Sequence, residues 1–569
     1  MFEECMIDAE LGLLINKYFK NSGYNVNAKI LESGMINLCD FQCNDCFSLA
    51  KIYHQSPLFI AQKVVEEAKK DKNSLIKEIT VATPGYINIK VSEKLIDKYI
   101  KKMSQQDCLG IEKSQNPKLY FLDYGGPNIA KPLHIGHLRS PIIGESIKRI
   151  IKFSGNNVIC DVHFGDYGLQ IGKIIYGLIK FNYDINNISV QTLKTIYQQV
   201  NEEIKQDENI NVICADIIKS LQLGNKQYKK YWQSIKKVSV NDIKKLYKYI
   251  DVKFDLYEGE SDTVSYIKIL TALLNKKKIL INSEGALVID IKKADDKKEL
   301  PPLMYQKSNG AYLYATTDMA AVLKRVNLYK PDQLIYIADI RQQLHFNQLF
   351  RAVSLAGIVN ENKLEFHGFG TVNGADGKPF KTRAGDSPEL EMLFEKVKES
   401  LKQNKESLKE CTEKDLDIIV NSVIKFADLQ NNREKDYIFD IEKFSKTDGK
   451  TGPYILYTFV RINKVVQKYS KKYTSKLNES KDTLERDIKL KLTALEKSFV
   501  KSFTERKPNY LASYVYDLCT LLNNFYEINR FSDKKNTEFI PSWLYTLKLS
   551  LKVIKTILDL LIIKIPKKM

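Results

Sequence analysis

Histidine is scarce in this chain, with six in 569 residues, and no apolar run is long enough to cross a bilayer without interruption. The nearest candidate, "SWLYTLKLSLKVIKTILDLLIIKIPKKM", is broken at helical spacing by Lys548, Lys552, Lys555 and Asp559. It therefore reads as an amphipathic helix packed in a bundle, and no membrane association is expected. The opening "MFEECMIDAELGLL" is acidic and lacks both the basic head of a signal peptide and the Arg/Ser-rich pattern of a transit peptide. Nine cysteines, an odd number and scattered, suit a reducing compartment, so a cytoplasmic protein is expected. Cys39, Cys43 and Cys46 have the C-x3-C-x2-C spacing of some iron–sulfur ligands. They lack an evident fourth ligand, Asp45 rather than an aromatic precedes the last, and no barrel-like βα repeat follows, so no metal site is expected.

What the chain does have is length for three or four domains and a formal charge of +19. That charge suits a polyanion such as RNA, although a chain rich in Lys, Ile and Asn reaches it without any partner. Two of the six histidines stand three apart in "DYGGPNIAKPLHIGHLRS", residues 123–140. Before this stretch, "KLYFLD" reads as a buried strand; after it, Leu133, Ile135, Leu138, Ile142, Ile143, Ile147, Ile150 and Ile151 recur at helical spacing up to "SGNN", and "VICDV" reads as a second strand. The loop thus lies at the carboxyl end of a parallel strand in a βαβ unit, where open α/β sheets bind ligands. His134 and His137 fall in the first helical turn beside backbone N–H groups, an arrangement that suits phosphate; the same spacing also serves metals or surface residues. The loop contains neither G-x-G-x-x-G nor G-x-x-x-x-G-K-[ST], so dinucleotide and Walker readings lack support.

"HIGH" (His134 to His137), within the frame Pro127, Asn128, Ala130, Lys131, Pro132, Arg139 and Ser140, resembles the signature of class I aminoacyl-tRNA synthetases and specifically the arginyl-tRNA synthetase family. About 240 residues downstream, "GADGKPFKTRAGD" is similar to the KMSKS loop of the same class, with Lys378 and Lys381 in its lysine positions. "DFQCNDCFSLAK" resembles the family's amino-terminal domain, and "TGPYILYTFVRI" its helical anticodon-binding domain. There are departures: Cys39 stands where glycine is usual, Gly125 and Gly126 replace commoner serines, and the carboxyl end lacks the usual glycine and acidic residue.

The resemblance implies an α/β fold class: a Rossmann-like parallel-sheet catalytic domain, an α+β amino-terminal domain and an all-α carboxyl-terminal helical bundle. The expected divisions are a tRNA-contacting domain at 1–110, a catalytic domain at 111–390 with a helical insertion at about 185–250, a connecting helical region at 391–450, and the anticodon-binding domain at 451–569. The implied activity is ATP-dependent activation of L-arginine and its transfer to tRNA(Arg), by a monomer, with Mg2+ accompanying the nucleotide. His134, His137, Lys378 and Lys381 would be catalytic, and Pro127, Lys131 and Gly136 would join them in holding ATP. Glu260, Tyr314 and Asp318 would take the guanidinium, Asn128 and Gln342 the α-amino end, with Asp123 nearby. Thr317 is a candidate cap for the helix containing Asp318. The resemblance further implies that activation needs bound tRNA. Two other functions share these motifs: a catalytically inactive tRNA-binding relative, and a class I synthetase for another amino acid.

Overall fold

A computed structural model describes residues 7–34, 38–71, 74–129, 133–374, 377–378, 390–404, 408 and 411–569. The first part is a helix, α1 (Ile7–Asn21), an antiparallel sheet and three further helices. Its strands are β1 (Ile30–Glu32), β2 (Phe41–Cys43), β3 (Ile76–Ala82) and β4 (Tyr86–Val91), ordered β1-β2-β4-β3; its helices are α2 (Cys46–Tyr53), α3 (Pro57–Lys70) and α4 (Glu93–Gln105). Alternation along β4 buries Ile87, Ile89 and Val91 against the helices, as a half-covered sheet requires. Cys43 and Cys46 are buried in this apolar layer, and desolvation pushes the Cys46 thiol up to about 12.

The central sheet is parallel and four-stranded. Strands β5 (Leu119–Tyr124) and β6 (Asn157–Asp161) are linked by α5 (Arg139–Phe153), which buries Ile142, Ile143, Ile147, Ile150 and Ile151. Helices α6 (Leu169–Lys180), α7 (Val190–Gln206), α8 (Asn209–Gln222) and α9 (Lys226–Tyr249) follow, and α10 (Val264–Lys276) leads to a three-stranded antiparallel sheet. That sheet, β7 (Leu280–Ser283), β8 (Ala286–Ile289) and β9 (Leu303–Gln306), is not foreseen from the sequence. Next come α11 (Tyr314–Tyr329), β10 (Gln333–Ile337), α12 (Gln343–Leu355) and β11 (Leu364–Phe366). The strand order is β11-β10-β5-β6, so β5 and β10 are neighbours from which the chain winds in opposite directions. The crevice at their carboxyl ends is the topological switch point, where such sheets bind ligands. Ser140 clamps it: its Oγ accepts the Gly125 N–H at 2.7 Å and donates to the Ile337 carbonyl at 2.8 Å.

Beyond a two-residue parallel pairing of β12 (Val372–Asn373) with β13 (Tyr437–Ile438), the described remainder is helical. It comprises α13 (Leu390–Asn404), α14 (Glu413–Leu429), α15 (Ile441–Phe444), α16 (Gly452–Tyr469), α17 (Thr483–Thr493), α18 (Leu495–Glu505), α19 (Asn509–Ile528) and α20 (Ile540–Leu560). As expected, α20 is amphipathic: Leu547, Leu551, Ile554 and Leu558 are buried while Lys548, Lys555 and Asp559 are exposed. The bundle is bolted to the central sheet's helix α5, because Ser146 Oγ donates to the Leu560 carbonyl at 2.8 Å and Arg149 bonds Asp559 at 3.0 Å. No helix among the described residues is long and apolar enough to cross a membrane.

Candidate active site

The switch-point crevice is a cleft of about 570 Å3. It gathers Asp123, Pro127, Asn128, His134, Gly136, His137, Asp318 and Gln342 from the expected site residues. Two glycines make room for it. Gly125, with φ of +73°, occupies the left-handed region, and a Cβ on Gly126 would strike the carbonyls of Val162 and His163. Larger residues would meet strain at one position and a clash at the other.

The two histidines do more than stand beside the helix start. His134 Nδ1 accepts the Gly136 N–H and His137 Nδ1 accepts the His134 N–H, both at 3.1 Å, in a 3-10 turn (Ile135–His137) ahead of α5. Two of the N–H groups expected to receive phosphate are therefore used by the imidazoles. An Nδ1 that accepts leaves the proton of a neutral imidazole on Nε2, so each ring presents Nε2–H as its donor. The ring centroids lie 3.8 Å apart.

Asp318 lines the cleft, whereas Glu260 and Tyr314 are not among its lining residues and lie beside Asp318 instead. A short parallel bridge of Phe164 to Gly259 carries the chain to Glu260, which is buried and whose Oε2 accepts the Tyr167 N–H at 3.2 Å. Desolvation first, then the like charges of Asp318 and Asp166, push its carboxyl up to about 8. Asp166 is already paired, with Lys236 of α9 at 2.6 Å, and also accepts from Ser261. Asp318 lies one turn into α11 and accepts from His345 Nε2 at 2.6 Å. Tyr314 begins that helix, four residues before Asp318, with its hydroxyl beside Gly168. Burial raises its phenol, followed by the charges of Glu260 and Asp318. The helix starts after Leu313, so Thr317 lies inside it rather than capping it, its Oγ1 donating to the Tyr314 carbonyl at 2.9 Å.

Asp123 lines the cleft, yet its charge is engaged: Arg325 Nη2 is 2.7 Å from Asp123 Oδ2 and 2.9 Å from Asp161 Oδ2. Gln342 precedes α12 and is exposed to the cleft mouth. Lys378 is exposed in a bend after β12, where its carbonyl accepts the Gly374 N–H at 2.8 Å, and it is not among the residues lining the cleft. Lys131 and Lys381 lie outside the described residues. Sequence reasoning missed His163, Arg325, Asp339 and Arg341, of which His163, Asp339 and Arg341 line the cleft. The signal available for His163 was the small-residue stretch "HFGDYG" directly after a parallel strand. Among the described residues, no group of three or more His, Cys, Asp or Glu is placed to hold a metal ion.

A parallel sheet with a histidine pair at its switch point and an acidic pocket beside it has the nucleotide-fold architecture of a class I aminoacyl-tRNA synthetase. Comparison with known proteins narrows the class. The family model "tRNA synthetases class I (R), catalytic domain" matches residues 99–441, "DALR anticodon binding domain" matches 455–569, and "Arginyl tRNA synthetase N terminal domain" matches 9–91. The chain is 36% identical to an arginine–tRNA ligase of Alkaliphilus oremlandii, over 98% of this chain and 99% of that one. It is also 36% identical to one of Agathobacter rectalis, over 98% of each. The crystal structure of arginyl-tRNA synthetase from Plasmodium falciparum superposes with a TM-score of 0.80 at 26% identity, covering 100% of both chains. The chain belongs to the arginyl-tRNA synthetase family.

Proposed function

We propose that the chain is an arginine–tRNA ligase, acting as a monomer in the cytoplasm on L-arginine, MgATP and tRNA(Arg). The observation that carries the reading is a cleft lined by both the His134–His137 pair and Asp318, with the buried Glu260 near enough to Asp318 for its charge to raise the Glu260 carboxyl. A guanidinium is planar, permanently charged and rich in donors, so two carboxylates and a phenol that feel one another's charge suit it electrostatically and as hydrogen-bond partners. Guanidinium binding also offsets the repulsion that raises Glu260. In the reaction, an α-carboxylate oxygen of arginine attacks the α-phosphate of ATP, an acyl-phosphate bond forms, and pyrophosphate leaves. No general base is required because the nucleophile is already an anion. The protein's task is positioning and positive charge. Nε2–H of His134 and His137 would meet phosphate oxygens, Pro127, Gly136 and Lys131 would shape the nucleotide's seat, and Lys378 and Lys381 would reach the triphosphate from the loop after β12. Asn128 and Gln342 would hold the α-amino end. Mg2+ enters with the nucleotide as part of the substrate. In the second step a hydroxyl of the terminal ribose of tRNA, the 2′-OH by class analogy, takes the arginyl group and AMP leaves.

The proposed division of labour keeps residues 1–110 and 391–450 for the body of the tRNA and 451–569 for its anticodon. Supporting the last is a groove of about 900 Å3 between α16 and the end of α19, lined by Tyr457, Arg461, Lys464, Lys468, Tyr526 and Arg530 among others. Arg461 lies over the Tyr526 ring at 4.1 Å. Aromatic faces with interleaved cations suit unstacked bases and their phosphates. Attachment of labelled arginine to tRNA in the presence of ATP, with periodate-oxidised tRNA as the control, tests the activity. Charging of intact tRNA only is expected; no charging of either would refute it.

A further inference from the structure

Helix α9 reaches the site at two places. Near its end the Tyr247 hydroxyl donates to the Gly125 carbonyl. Nearer its start, Trp232 Nε1 donates to the Asp166 carbonyl at 2.9 Å, and Lys236, one turn further on, sends its ammonium to the Asp166 carboxylate at 2.6 Å. Asp166 is fully buried and lies against the segment that carries Glu260. Its Oδ1 accepts the Ser261 N–H at 2.9 Å and its Oδ2 the Ser261 hydroxyl at 2.7 Å, while a Cβ on Gly259 would strike the same carboxylate. An anion is thus held against the residues on both sides of Glu260.

Two carboxylates so close resist each other's ionisation unless a cation stands by one of them. Burial first, then Asp318 of α11 and Asp166, raise the Glu260 carboxyl, and His163 lowers it. The Tyr314 phenol of α11 faces it as well. On its own segment, Glu258 is paired with Lys324 of α11 at 2.8 Å, and Asp262 with Lys236 at 3.3 Å. Lys236 therefore counters both Asp166 and Asp262 from a single helix position. Burial lowers its ammonium, but the two carboxylates bring it above its ordinary value, so it is charged wherever arginine binding is measured.

We propose that Lys236 is a positioning residue for arginine binding: its ammonium cancels the charge of Asp166 beside the Glu260 segment, so that Glu260 meets the guanidinium as an anion. Lys236 touches no substrate and acts through Asp166. The inference rests on the reading of the cleft as an arginine-activating site. Its test follows the KM for arginine against pH in the charging reaction of the full chain. Lys236→Met should raise that KM about fivefold near pH 7 but less than about twofold near pH 9, where Glu260 is largely ionised with or without the ammonium. The KM for ATP should stay within about twofold throughout. Lys236→Arg, which keeps the charge, should restore most of the loss. In an Asp166→Asn background, Lys236→Met should no longer alter the pH dependence, because the charge it balanced is gone. Should Lys236→Met fail to fold, Lys236→Gln carries the same measurements. A loss equal at both pH values, a pH effect that persists unaltered in the Asp166→Asn background, or an unchanged arginine KM would overturn the proposal. A wild-type protein that does not charge arginine would instead overturn the functional reading beneath it.

Discussion

His345 donates Nε2–H to Asp318 Oδ2 at 2.6 Å, tying the first turn of α12 to α11 one turn from its start, at the cleft wall. The pair is half-buried, and Asp318 raises the His345 imidazole above its ordinary value although burial lowers it. His345 therefore orients the carboxylate that is proposed to meet the guanidinium.

Replacing Asp318 by Asn keeps the shape and removes the charge. Losing one partner of a desolvated charged hydrogen bond costs about 2–5 kcal/mol, so Asp318→Asn should raise the KM for arginine by about thirtyfold or more. The KM for ATP should stay nearly constant, since the histidine pair is untouched. Steady-state kinetics with each substrate varied in turn checks the split.

Glu260 gives a pH dependence with a definite sign. Its carboxyl titrates at about 8 in the folded chain against an ordinary 4.5. Between those values the folded protein keeps a proton that the unfolded chain has lost, so this group lowers stability as pH rises through that interval and adds no further loss above it. In the proposed site arginine meets the ionised form. Its KM should therefore fall as pH rises towards about 8, by at most about tenfold per unit. Glu260→Gln should bind arginine more weakly, show no such slope from this group, and melt higher than the wild type above pH 8 in the absence of arginine. Arginine kinetics and thermal melts across this range measure both effects.

The start of α5 is held from behind. Arg139 is buried, forks onto Asp428 of α14, donates to the Gly370 carbonyl at 2.6 Å, and lies over the Phe369 and Tyr437 rings. Asp428→Ala leaves that guanidinium without its counter-charge and should cost about 3–5 kcal/mol, readable by urea denaturation. Arg139→Met with Asp428→Leu should cost less than the single change, because it removes both charges.

The bundle is better probed by point changes than by truncation, since removing 451–569 would expose the face of α5 that Ser146 and Arg149 bond to α20. Arg461→Glu should raise the KM for tRNA about tenfold or more through lost phosphate contact, with the KM for arginine little changed. Charging assays over a range of tRNA concentration and of salt decide it.

The nucleotide fold was legible in "DYGGPNIAKPLHIGHLRS" because a strand, a small-residue loop and a helix leave consecutive marks. The hairpins of β7, β8 and β9 were not, because four-residue strands separated by Glu284–Gly285 and by a lysine-rich loop show too little alternation to read. Glu260 and Asp318 were found through resemblance; no local pattern joins residues 58 positions apart, and the bridge of Phe164 to Gly259 sets the first of them beside the segment after β6. Arg325 carries no distinguishing mark in the sequence. Its partners Asp161 and Asp123 lie on two different strands, so its burial follows from sheet order rather than from sequence.

The central claim is that this cleft activates arginine and no other amino acid. ATP–pyrophosphate exchange with each of the twenty amino acids, run with and without tRNA, tests it most directly. Exchange should appear with arginine alone, and the family resemblance predicts that it requires tRNA. Exchange supported by a different amino acid, or by none under either condition, would contradict the account.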